Sequence, residues 1–156
     1  MKKTENISEN ISFKEATYSQ TASKLKIKNN PTEAHIKNMK TVAEKVFQPL
    51  REFAGHPIRI NSFYRSADLC EAIKSSRTSQ HTKGQAIDLS TMGEKSNADL
   101  FNFIKENLDF DQIIWEFGSD EEPQWIHVSY VNKKANRKNV LKATRKGSQV
   151  YYRHMK

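Results

Sequence analysis

The stretch Ser79-Gln80-His81-Thr82-Lys83-Gly84-Gln85-Ala86-Ile87-Asp88-Leu89-Ser90 decides how the rest of this 156-residue chain is read. An imidazole and a carboxylate lie seven residues apart, with Gly84 between them to turn the backbone. Gln85–Ser90 reads as a strand, with Ala86, Asp88 and Ser90 on one face and Gln85, Ile87 and Leu89 on the other. Downstream, Trp125-Ile126-His127-Val128-Ser129-Tyr130 reads as a second strand carrying another imidazole. Two imidazoles and a carboxylate are three ligands of a catalytic zinc site, whose fourth position is left open for water. His81, Asp88 and His127 converge only if the two strands are neighbours in one sheet, so fold and site are a single question.

Around these strands the chain falls into recognisable elements. Gln112–Phe117 and Trp125–Val131 are apolar, aromatic runs separated by the acidic turn Gly118-Ser119-Asp120-Glu121-Glu122-Pro123, which predicts a hairpin. Pro57–Phe63 alternates as a half-buried strand, and Ser66 can cap a short helix bearing Leu69, Ala72 and Ile73. Asn30 as cap, Pro31 in the first turn and Glu33 three residues after the cap open a longer helix. Its stripe of Ile36, Met39, Val42, Ala43, Val46, Phe47, Leu50 and Phe53 extends over about twenty residues, with Pro49 placed to kink or divide it. Ser96 and Asp99 cap a second helix holding Leu100, Phe101, Phe103, Ile104 and Leu108. Residues 1–30 read as a polar arm packed on the domain, with one short helix around Ser12–Gln20 or Thr21–Lys24; Lys24–Lys28 is a short strand or a loop. The tail from Asn132 is basic, and Val140-Leu141 and Val150-Tyr151-Tyr152 add an edge strand or pack onto the core. The expected fold is α+β: one globular unit over residues 31–156, a mainly antiparallel sheet flanked by helices, with the arm 1–30 against it.

Composition narrows the classes. With 36% hydrophobic residues a chain of this length can build a core, and no run of about 18 apolar residues is present to form a membrane-spanning helix. Met1-Lys2-Lys3-Thr4-Glu5-Asn6 has lysines but no apolar stretch behind them, so it does not read as a secretory leader. The single cysteine, Cys70, excludes an intrachain disulfide framework and reads as a small buried apolar residue. The net charge of +8 favours anionic surroundings, whether nucleic acid, teichoic acid, lipopolysaccharide or anionic lipid, and equally fits a solvated basic surface.

The pattern Ser-x-His-x-x-Gly-x-Ala-x-Asp at Ser79–Asp88, the later Trp125-x-His127 and the upstream Tyr64-Arg65-Ser66 resemble the D-Ala-D-Ala carboxypeptidase family. These are zinc peptidases of bacterial cell walls with a hedgehog-like fold, and they include several phage endolysins. The resemblance implies Zn2+ held by His81, Asp88 and His127. It assigns Arg65 to a substrate carboxylate or carbonyl, a role that suits the bidentate guanidinium fork, and Ser79 to substrate or ligand contact. Trp115 and Trp125 read as core or as site wall, with Trp125 a candidate substrate contact. One departure matters. Many family members carry an acidic residue three positions before the last histidine ligand, and here that position is Gln124. The general base is then assigned to Glu116, an acid set in the apolar run Ile114-Trp115-Glu116-Phe117, where desolvation would raise its pKa. Glu121 and Glu122 are the alternatives. His35, His56 and His154 read as structural or exposed.

The expectation is a zinc metallopeptidase acting on peptidoglycan stem peptides, at D-Ala-D-Ala or L-Ala-D-Glu bonds. A phage or prophage lysis enzyme, monomeric, made without a leader and acting at the wall after release, is the expected setting. An inactive zinc-containing wall-binding or virion module is the alternative that Gln124 keeps open. A nucleic-acid-binding domain explains the charge but not the His-Asp-His set, so no nucleic-acid partner is expected.

Overall fold

Strand β1 (Ile58–Ser62), β2 (Ala86–Thr91), β3 (Gln112–Glu116), β4 (Trp125–Ser129), β5 (Asn139–Lys146) and β6 (Gln149–His154) hydrogen-bond into one sheet in the order β1-β2-β4-β3-β5-β6. Every pairing is antiparallel except β3 with β5. The fold is thus the α+β arrangement expected from sequence, described by a computed structural model over residues 6–155. Residues 1–5 of the expected arm, with their two lysines, lie outside the described residues.

Alternation gives the sheet two unlike faces. Ile87, Leu89, Ile113, Trp115, Ile126 and Val128 face the helices and join a single core with Met39, Val42, Phe47, Leu50, Leu100 and Ile104. The opposite face carries Asp88, His127, Ile114 and Glu116. Burying each large aliphatic or aromatic side chain on the core face contributes roughly 1.5–3 kcal/mol, so this face fixes the register that the other face inherits.

The helices largely follow their sequence signals. Helix α6 (Asn97–Asn107) opens with the Ser96–Asp99 capping box, and α5 (Ala67–Ala72) opens with the Ser66 hydroxyl accepting from Leu69 N–H. Both short segments weighed for the arm are helical, as α1 (Phe13–Thr17) and α2 (Gln20–Leu25). The Lys24–Lys28 stretch forms no strand, because Lys26 turns left-handed (φ 57°) to end α2.

The long helix departs in two ways. Its cap is Thr32, not Asn30: the Thr32 hydroxyl accepts from His35 N–H, and His35 Nδ1 accepts from Thr32 N–H, so an imidazole replaces the usual glutamate. It is also divided, into α3 (Glu33–Val42), a π-helical turn (Ala43–Phe47) and α4 (Gln48–Ala54). Pro49 lacks the N–H that an uninterrupted α-helix would use, and the wider turn just before it absorbs the mismatch.

The tail does more than add one edge strand. β5 and β6 form a hairpin that widens the sheet by two strands, with β5 running parallel to β3. The arm enters the core too: Ile7, Ile11 and Ala16 are buried in the main cluster.

Candidate metal centre and cleft

Gly84 explains why the motif has its glycine. Its φ is +73°, and a Cβ there would stand 2.5 Å from His35 O and 2.9 Å from Met39 Cγ. A side chain would be strained in conformation and would collide with α3. That close approach lets Asn38 donate to Lys83 O (2.8 Å), clamping the 3-10 turn Gln80–Lys83 to α3.

The turn carries His81, which is buried. Its Nδ1 lies 2.7 Å from Phe63 O. A carbonyl only accepts, so Nδ1 holds the proton and Nε2 presents its lone pair. That Nε2 is buried with no hydrogen-bond partner among the described residues, 3.3 Å from Asp88 Oδ2. Burial lowers the pKa of His81 and keeps the ring neutral. The register of β2 with β4 sets Asp88 opposite His127, whose Nδ1 is 3.0 Å from Asp88 Oδ1. Burial alone would raise the Asp88 pKa, but His81 and His127 outweigh it and hold the carboxyl well below the usual range. One donor atom from each of His81, Asp88 and His127 lies within 4.8 Å of the others. An orphaned imidazole nitrogen, an ionised carboxylate and a second imidazole at that spacing fit a divalent metal with nitrogen–oxygen preference, zinc first among them.

Arg65 follows β1. Its Nη1 is 3.7 Å from Asp88 Oδ2, and its Nε is buried with no hydrogen-bond partner among the described residues. The backbone around it is fixed from three sides. Arg65 N donates to His81 O, Tyr64 N donates to Ala16 O, and the Asn29 side chain bridges Tyr64 O and Ser66 N.

Glu116 stands on β3 opposite Trp125 and diagonal to His127, on the face that carries the metal-ligand set. Its carboxylate is largely buried and accepts no hydrogen bond from a described residue. Burial pushes its pKa up to about 7, the His127 charge opposing and Asp88 adding. The alternatives lie elsewhere. Glu122 caps α6, accepting from Asn97 N and Ala98 N, and Glu121 is exposed in the turn. Gln124 is exposed and is not among the residues lining the cleft.

His81, Asp88, His127, Arg65 and Glu116 border one cleft of about 500 Å3, a size that suits a small ligand or peptide segment. Ser79 lines it, although its hydroxyl accepts from His81 N–H and so also caps the turn. Trp125 lines it edge-on to Phe117, whereas Trp115 lies on the core face and donates to Ser119 O. His35 completes the cap of α3, His56 Nε2 accepts from the distant Lys95 N–H, and His154 is exposed on β6.

Several contributors have no short-range sequence signal. Asp111 is buried and receives Arg137 through Nε and Nη2, Arg137 N–H, and Gln80 Nε2. It ties the His81 turn to the segment leading into β5, and Arg137 holds its pKa down at about 2. Tyr152, on β6, borders the cleft across the small Ala143 from Glu116. Burial raises its pKa, with Glu116 and Asp88 adding to the effect.

A family model described as Peptidase M15 matches residues 9–129 of the chain. No curated protein matches it.

Proposed function

The chain belongs to the peptidase M15 family, zinc peptidases that act on peptidoglycan peptides, and from that premise we propose that it hydrolyses an amide bond of the stem peptide, at D-Ala-D-Ala or L-Ala-D-Glu. His81 Nε2, an Asp88 carboxylate oxygen and His127 Nδ1 would hold the zinc. When bound, zinc supplies a Lewis acid for the scissile carbonyl and an acidified water.

The protein residues divide the remaining work. The Phe63 carbonyl keeps the proton on His81 Nδ1 and so keeps Nε2 free to ligate. Arg65 faces Asp88 from the cleft and offers its fork to a substrate carboxylate or carbonyl. Glu116 takes a proton on a carboxylate oxygen and returns it to the leaving amine. Burial raises its pKa to about 7 in the metal-free protein, toward the range that suits both halves of that task. Trp125 and Phe117 give the cleft an apolar wall.

The observation that carries the reading is Glu116: an acid that accepts no hydrogen bond from a described residue, buried beside the His-Asp-His set. It favours an active enzyme over an inactive wall-binding module, for which a buried carboxylate without a hydrogen bond is only a cost. The basic surface suits an anionic cell wall, and a lytic role like that of the family's phage members is the finer part of the reading. Mass spectrometry of purified muropeptides incubated with the zinc-loaded protein tests it. Loss of a terminal D-Ala identifies the carboxypeptidase, and a cut after L-Ala identifies the endopeptidase. Unchanged muropeptides, together with walls that do not clear, would sink the hydrolase reading.

A further inference from the structure

The β5–β6 hairpin lies beyond the matched residues 9–129, yet Leu141, Arg145 and Tyr152 line the cleft together with Glu116 and His127. Arg145 is exposed, and no described residue gives it a hydrogen bond or an ion pair. It is nevertheless not loose, because its guanidinium lies over the Phe117 ring, 4.3 Å from the centroid. Phe117 has a φ of +60°, a left-handed conformation that costs a bulky residue roughly 1–2 kcal/mol. It is held there by Phe117 N donating to Ala143 O at 3.1 Å and by packing edge-on against Trp125. The strained backbone therefore presents an aromatic platform at the edge of the cleft, and a cation with five donors and no acceptor rests on it.

Arg65 and Arg145 occupy opposite ends of this cleft. Arg65 sits over β2, Arg145 belongs to β5, and β4 and β3 lie between, bringing His127 and Glu116. We propose that Arg145, braced on Phe117, binds a carboxylate of the substrate, so that the substrate is an extended acidic peptide with one carboxylate held toward each end of the cleft. This inference rests on the peptidase reading for its ligand, and on the hairpin alone for its geometry. It makes the C-terminal hairpin a specificity element added to the matched part of the chain.

The test is calorimetric titration of metal-free protein, which cannot turn the ligand over, with a stem tetrapeptide and with its singly amidated counterparts. For wild type, amidating one particular carboxylate weakens binding about tenfold, as expected for loss of a charge-assisted contact. Arg145→Ala weakens the free acid by the same factor and leaves the amidated peptide unchanged, and Arg145→Lys falls between. Equal weakening of all peptides, no weakening of any, or no binding by wild type would each overturn the proposal. Failure of the peptidase reading looks different: amidation selectivity would survive in a protein that releases nothing from walls when loaded with zinc.

Discussion

The two ends of the cleft are built differently. At the β2–β4 end every functional atom is over-determined. His81 is fixed by a backbone carbonyl and by the close packing of Gly84 on α3, Arg65 by backbone bonds to His81 and to the arm, and Asp88 and His127 by strand register. At the β5–β6 end Arg145 and Tyr152 are exposed, and Arg145 is steadied by one aromatic face. Chemistry needs donors held within tenths of an ångström, whereas choosing among substrates needs only charge and shape at the right distance. Substitutions at the first end should therefore abolish turnover or folding, and substitutions at the second should tune affinity.

The largest effect should come from Glu116→Gln. Zinc content stays at the wild-type level while kcat for muropeptide hydrolysis falls about 10²–10⁴-fold. Wild-type kcat should decline on the acid side as Glu116 is protonated, because the base must be ionised, with the limb displaced below about 7 by the nearby zinc charge, and the variant's residual rate should lack that limb. Stability gives an independent reading in metal-free protein. A carboxyl raised from 4.5 to about 7 on folding makes the native state bind more protons between those values, so stability falls as pH rises through that window and is flat above it. Urea titrations across the window should show a loss of roughly 3 kcal/mol that Glu116→Gln removes.

Gly84→Ala comes next. The left-handed φ and the collision with His35 O together should cost roughly 3 kcal/mol by denaturant unfolding. A cost under about 1 kcal/mol would mean that α3 yields and that the metal end is less rigid than described.

Asp111→Asn reaches both ends, since Asp111 joins the His81 turn to the approach to β5. Replacing the acceptor of a buried charged pair should lower stability by roughly 2 kcal/mol. The native contribution of Asp111 is present above its unfolded pKa and is lost as pH falls toward about 2. Acid unfolding should accordingly begin at higher pH in wild type than in a variant whose Arg137–Asp111 pair has been replaced by apolar residues.

Phe117→Gly is the smallest and the most informative for the comparison. Relieving φ +60° should offset part of the lost packing, keeping the stability change within about 1 kcal/mol. Peptide affinity should fall by about the same factor as in Arg145→Ala, because the guanidinium loses its platform. Unaltered affinity would separate Phe117 from recognition.

What the sequence revealed followed the same division. The metal end is local: His81, Gly84 and Asp88 sit within one short stretch, and the hairpin that brings His127 alongside has strong strand and turn signals. Ser66 and the Ser96–Asp99 box also act over three residues, a range at which side-chain chemistry is legible. The helix cap moved from Asn30 to Thr32 because both residues are competent acceptors and an imidazole, not a carboxylate, completes the reciprocal bond. What stayed hidden acts over long separations. Asn29 holds Tyr64 and Ser66, and Asp111 holds Gln80 and Arg137, through contacts that no periodicity records. The tail reads as little more than an edge because its strands are basic and exposed on one face, which weakens the apolar alternation that marks a strand.

Metal content and muropeptide hydrolysis measured on the same preparations test the central claim most directly. Wild-type protein purified without chelator should carry about one zinc per chain and cleave purified muropeptides, and His127→Ala should lose both together. Wild-type protein that cleaves them with no bound metal, or a His127→Ala variant that keeps both zinc and activity, would contradict it.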